Sequence, residues 1–331
     1  MTTTTKQPQT RNWNWSHLQK QAAPYLFVSP FFVLFAVFGL FPIVFSLLLA
    51  FSQWDSASGL STMHWVKPLW SNFQYVLTDP LFATVLKNTF WIAIVSGLPQ
   101  HLVAIPLAYV LHTQVGRFKH FFTAAFLVPF VTSTVAIALV TTVLFSERNG
   151  AVNQLLLWLN NFVLFDPLIP DQTGEGYIQW LFEKEYTKPL VCLLIFWRYF
   201  GYNTVLYLTG LQTISNDIYE AAQVDGATRW QQFWHITLPL LRPIAYFTTI
   251  GTVVGNLNLF DEVFILFSGP PSGGEEYSAQ TIGLYLYNNA FGPNQDMGAA
   301  AATSWVLFVI VLLITLITNA VFRRTADPSE A

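Results

Sequence analysis

The chain has 331 residues, 53% apolar and 10% charged, with a formal net charge of −3. It is too apolar for an ordinary soluble domain, and its near-neutral charge carries no footprint for nucleic acid. Thirty Phe and twelve Trp suit a protein solvated by lipid, with aromatic residues at the interfaces. Cys192, the single cysteine, sits in an apolar run. Neither a disulfide nor a cysteine metal cluster is available, and Cys192 reads as an inert buried thiol.

In chain order, a polar stretch of roughly twenty residues meets a long span without a small-residue cleavage site. Residues 1–24 are therefore expected to form a cytoplasmic tail rather than a cleaved signal. Six apolar runs follow: 25–51, 88–112, 121–145, 189–212, 244–267 and 299–322. Each is long enough to cross about 30 Å of hydrocarbon. They predict an all-α integral membrane protein with six transmembrane helices over 25–322 and a short tail, 323–331. Pro42, Pro99, Pro106 and Pro129 read as kinks, tolerated where neighbouring helices re-satisfy the freed carbonyls.

The basic residues set the orientation. Lys6, Arg11 and Lys20 precede the first span, Arg117 and Lys119 lie in a short loop, Arg229 and Arg242 lie in the loop 213–243, and Arg323 and Arg324 follow the last span. All fall on one side, which places both termini in the cytoplasm. Lys67, Lys87, Arg148, Lys184 and Lys188 fall on the other side, diluted by acids over longer segments. In the outer loop 146–188, residues 152–165 are amphipathic and lead to Pro167, Pro170 and Gly174. This predicts an interfacial helix plus an excursion, with no separate domain.

The cytoplasmic loop 213–243 has the most distinctive composition, reading YEAAQVDGATRWQQFWHITLPLLRP from Tyr219. Ile218, Ala221, Ala222 and Asp225 recur at helical spacing, and small Ala residues let a helix seat closely in a partner's groove. Asn216 or Asp217 is placed to cap that helix. Gly226 permits a bend, and Thr228 starts a second turn carrying Trp230, Phe233 and Trp234. Pro239 and Pro243 are expected to close the unit. Such a helix–Gly–helix elbow is shaped for docking rather than for chemistry.

Glu220-Ala221-Ala222, Asp225-Gly226-Ala227, Phe233, Ile236, Leu238-Pro239-Leu240 and Pro243 together resemble the EAA loop of ABC-importer permeases. The variant is similar to the first permease subunit of maltose-type carbohydrate importers. The resemblance runs over about residues 22–324 and departs at Gly269-Pro270-Pro271, where Gly-Gly-Pro is usual. It implies the type I importer permease fold. It also implies coupling to an ATPase through Glu220, Ala221, Ala222, Asp225, Gly226, Ala227, Phe233 and Pro239. The implied partners are a second homologous permease, two ATPase subunits, an extracytoplasmic solute-binding protein and the bilayer of a bacterial inner membrane.

The sequence has no GxxxxGK[ST] phosphate loop, no HExxH, no serine nucleophile elbow and no paired His/Cys ligands. No catalytic or metal site is expected. This chain is read as having no cofactor of its own, with ATP and Mg²⁺ held by the ATPase subunits.

Polar residues at bilayer depth are costly unless they face a cavity or a partner, so each is a candidate site. Arg198 lies about 14 Å down the fourth span, followed by Tyr199, Tyr202 and Asn203; in the fifth, Asp261 and Glu262 lie about 10 Å before the far end. Arg198 with Asp261 (or Glu262) reads either as a pair pinning two helices or as part of a polar, aromatic-lined sugar pocket. The two are compatible. The resemblance places sugar contacts at Arg198, Tyr199, Tyr202, Thr252, Gly255, Asn256 and Leu259. Tyr202 and Asn256 keep the family's residue type, whereas Arg198, Tyr199 and Leu259 differ from it. The expected function is one half of a sugar path. The alternatives are import of a glycerol-phosphate-like anion, or an ion-coupled secondary transporter using the acids of the fifth span.

Overall fold

The computed structural model describes residues 15–54, 59–113, 118–160, 177–267, 272–293 and 295–326. The Gly269-Pro270-Pro271 turn, both ends of the chain and the later part of the amphipathic loop segment lie outside them.

The first crossing joins α1 (Trp15–Phe35) to α2 (Phe41–Ala50) through one π-helical turn, Ala36–Leu40. The Phe41 N–H reaches back five residues to the Ala36 carbonyl, and Pro42 beside it has no N–H to give. A two-stranded antiparallel ribbon follows, β1 (Ser52–Gln53) with β2 (His64–Trp65), then α3 (Ser71–Thr78). Helix α4 (Pro80–Thr113) runs for 34 residues through Pro99 and Pro106 without a break. At about 1.5 Å per residue it is about 51 Å long, so it projects well beyond the hydrocarbon.

The third apolar run is not one helix. α5 (Lys119–Val131) and α6 (Thr134–Leu144) meet at 91°. Pro129 donates no hydrogen bond in the last turn of α5, and Thr132 and Ser133 are both extended (ψ 144° and 132°). Counting that bent pair as one crossing yields six spans; the straight helices number five among the described residues.

Beyond the bend, α7 (Ala151–Asn160) realises the start of the predicted loop helix. Asn153 holds it in place by donating to the Glu147 and Ile178 carbonyls and accepting from the Trp180 indole. Helix α8 (Lys184–Leu211) is the hub, with α4 its most extensive neighbour. Some 56% of its apolar window is buried, against 6% for the first and last spans, which therefore face outward.

The elbow comprises α9 (Asn216–Val224), α10 (Arg229–Gln232), a π-helical stretch Phe233–Thr237 and α11 (Leu238–Leu240). Neither expected proline stop is one. Pro239 lies in the helical turn that continues the π-helical stretch, and Pro243 in the first turn of the next helix, α12 (Arg242–Leu257), where a missing N–H is unsatisfied anyway.

The fifth run is interrupted as well. The chain leaves the helix at Asn258, passes Phe260 (φ −138°, ψ −60°) and resumes as α13 (Asp261–Leu266). Thr281, at the start of α14 (Ile282–Phe291), donates to the Leu259 carbonyl freed there. Helix α15 (Met297–Ala326) completes the chain.

Candidate functional site

The elbow is built from consecutive helix caps. Ser215, not Asn216 or Asp217, caps α9 by accepting from the Asp217 N–H; its extended backbone (ψ 137°) is the geometry a cap requires. At the far end Gly226 is left-handed, with φ +80°. Its N–H bonds the Gln223 carbonyl and the Ala227 N–H bonds the Ala222 carbonyl. These two bonds are the Schellman pattern, which ends a helix on a glycine. Thr228 and Gln231 then exchange bonds as a capping box that starts α10.

Buried contacts seat this unit against the transmembrane helices. Phe233 packs edge-on against Tyr109 of α4 at 5.1 Å, and the Tyr109 hydroxyl donates to the Arg229 carbonyl. The Tyr219 and Thr237 hydroxyls, 3.0 Å apart, tie α9 to the π-helical stretch. Of the residues expected to couple, Glu220, Ala221, Asp225 and Gly226 are exposed, Ala222, Ala227 and Pro239 half-buried, and Phe233 buried. Phe233 therefore anchors the elbow from within. Val224, which sequence reading passed over, is 88% exposed one helical turn beyond Glu220 and Ala221. Its signal was an apolar residue at the third position after Ala221.

A cavity of about 190 Å³ opens between α4, α8 and α12. Tyr199, Tyr202, Asn203, Thr252, Gly255, Asn256 and Leu259 all line it, seven of the nine residues expected on the path. A side chain added at Gly255 would meet nothing within 4 Å, so the missing Cβ is part of the open space. The Tyr202 ring stacks on Phe130 of α5 at 4.2 Å and 18°, which presents a flat aromatic wall. Asn256 donates to Ser96 Oγ (3.1 Å) and the Ala93 carbonyl (3.3 Å), so its amide also ties α12 to α4.

Arg198 and Asp261 are absent from the wall. Arg198 is ion-paired with Glu262 instead, both residues being buried. The break at Asn258–Phe260 is the reason. It makes Asp261 and Glu262 the first turn of a new helix, Asp261 exposed and Glu262 turned against α8. Carboxylates also suit a helix start, where they meet the positive end of its dipole. Tyr199 links pair and cavity: its hydroxyl donates to Glu262 Oε1 at 3.5 Å, and the guanidinium sits 5.3 Å from its ring centre.

Sequence reading missed Gln100, Leu206, Phe247, Thr248 and Gly251 of this wall. For Gln100 the available signal was an amide in the middle of a 34-residue apolar helix. Behind the wall, the Thr248 hydroxyl donates to Tyr207, whose own hydroxyl lies 2.8 Å from His101 Nδ1.

A polytopic helical protein with a polar, aromatic-walled cavity between its central helices and a partly exposed helical elbow has the make-up of a membrane transport component. Residues 87–327 match the family described as binding-protein-dependent transport system inner membrane component, and the chain belongs to that family. It is 33% identical to the lactose transport system permease protein LacF of Rhizobium radiobacter, over 88% of this chain and 91% of that one. It is 31% identical to the arabinooligosaccharides transport system permease protein AraP of Bacillus subtilis, over 92% and 90%. Its fold matches a chain of a bacterial ABC transporter that imports the acidic polysaccharide alginate, with a TM-score of 0.75, 23% identity and coverage of 94% and 98%. The chain is a multi-pass permease component with the type I importer fold.

Proposed function

We propose that this chain forms half of the path by which an ATP-driven importer moves a mono- or oligosaccharide delivered by a solute-binding protein. A second, homologous permease supplies the other half. Of two ATPase subunits, which hold ATP and Mg²⁺, one grips the elbow through Glu220, Ala221, Val224 and Asp225, and both termini lie on that cytoplasmic side. The observation that carries the reading is the cavity wall: amides at Asn203 and Asn256, a hydroxyl at Thr252 and the Tyr199 and Tyr202 rings converge on one space. Amides bond sugar hydroxyls, and aromatic rings cover the apolar face of a pyranose. Relatives named for lactose, arabino-oligosaccharides and maltodextrin support the same class of solute. The anionic alternative is disfavoured because Arg198, the cation it requires, is neutralised by Glu262.

The test is uptake by the complete transporter in proteoliposomes, with lactose, an arabino-oligosaccharide and a maltodextrin as probes. Uptake of one of them that needs both ATP and the binding protein is the expected result; uptake by the purified chain alone would sink the proposal. Within that assay, Tyr202→Ala removes the stacking wall and is expected to lower kcat/KM about tenfold, equivalent to about 1.4 kcal/mol. Co-purification with the partner subunits should be unchanged. Asn256→Ala should also cut uptake, but its bonds to α4 mean that it loosens the helix pair too, so Tyr202→Ala is the cleaner probe. Native uptake by Tyr202→Ala would remove that ring from the path.

A further inference from the structure

Gln100 lies in the wall of the cavity and is 1% exposed. Its Oε1 accepts from Asn203 Nδ2 at 3.0 Å. The other end, Nε2, is buried and has no hydrogen-bond partner among the described residues. A buried amide donor left unpaired costs about 1–3 kcal/mol, so one that persists in the wall of a cavity calls for an explanation, and a solute that enters the cavity supplies one. Asn203 Nδ2 also reaches Thr252 Oγ1 at 3.4 Å, so Gln100, Asn203 and Thr252 form one polar strip linking α4, α8 and α12.

We infer that Gln100 is a solute-recognition residue, whose Nε2 donates to one particular hydroxyl of the sugar in the cavity, while its Oε1 orients Asn203. Recognition then extends to the second span as well as the two spans flanking the elbow. The inference rests on the sugar reading above. Its consequence is specificity, because a site that holds an unpaired donor in reserve rejects solutes lacking the matching acceptor.

The experiment uses the complete transporter and whichever of the three probe sugars it takes up, with a set of singly deoxygenated analogues of that sugar. With the native chain, one analogue is expected to lose about tenfold in kcat/KM relative to the parent sugar. With Gln100→Met, similar in size but unable to hydrogen-bond, the parent sugar should fall by a similar factor. That one analogue should then be carried as well as the parent. A merely structural Gln100 would lower every analogue equally and leave the native discrimination in place, which overturns the inference while the sugar reading stands. If the native transporter carries none of the three and instead carries a non-sugar solute delivered by its binding protein, the sugar reading is overturned and this inference with it.

Discussion

Replacing Glu262 with alanine should destabilise the chain more than any other single truncation in the transmembrane region. Arg198 would then keep a buried charge with no counter-ion, and its Nε already lacks a partner among the described residues. Removing one member of a buried ion pair costs about 3–5 kcal/mol, because the survivor has lost its water and gains nothing in return. Thermal melting of the detergent-solubilised protein, followed through tryptophan fluorescence, should show a large downward shift for Glu262→Ala. The double variant Arg198→Met with Glu262→Leu should recover much of it, since neither charge remains to be buried. Uptake by the double variant separates the two readings of the pair. Transport near the native rate makes it a brace between α8 and α13, whereas folded but inactive protein returns it to the solute path. A single variant that melts with the native protein would refute the account.

Gly226→Val should disconnect the elbow from the motor without emptying the membrane of protein. The space around Gly226 is open, so the obstacle is conformational rather than steric crowding. Its φ of +80° is one that a β-branched residue adopts only under strain, at a cost of about 1–3 kcal/mol. Relieving that strain breaks the two bonds that end α9, from Gly226 to Gln223 and from Ala227 to Ala222. Glu220, Ala221 and Val224 then lose their fixed orientation relative to α10, which Phe233 anchors to α4. The expected result is ATP hydrolysis by the assembled complex with little or no uptake. Gly226→Asn, which tolerates the left-handed region, should retain most transport. Parental uptake by Gly226→Val would mean that the elbow is not the transmitting element.

Much of this protein was legible in its residues alone. Runs of apolar side chains long enough to cross a bilayer announce helices, because a backbone in hydrocarbon has to bond to itself. The elbow was readable because Gly226, Thr228 and the small residues Ala221 and Ala222 each serve a local geometric need. Part of the cavity wall was readable too: Asn203 and Asn256 are polar groups at a depth where water is absent, while Thr252, Gly255 and Leu259 came from the family resemblance. Tertiary structure decided the rest. The 91° bend after Pro129 and the interruption at Asn258–Phe260 depend on neighbours, such as Thr281, that bond the carbonyls a broken helix leaves free. Once the fifth span is broken, Glu262 rather than Asp261 meets Arg198, an outcome unobtainable from depth counted along a continuous helix. The same holds for Gln100, whose free donor is recognisable only after Asn203 has claimed its oxygen. Local chemistry determines where the chain turns and what it cannot expose to lipid, whereas pairing between distant residues depends on how the helices are rotated against one another, and that is a property of the packed whole.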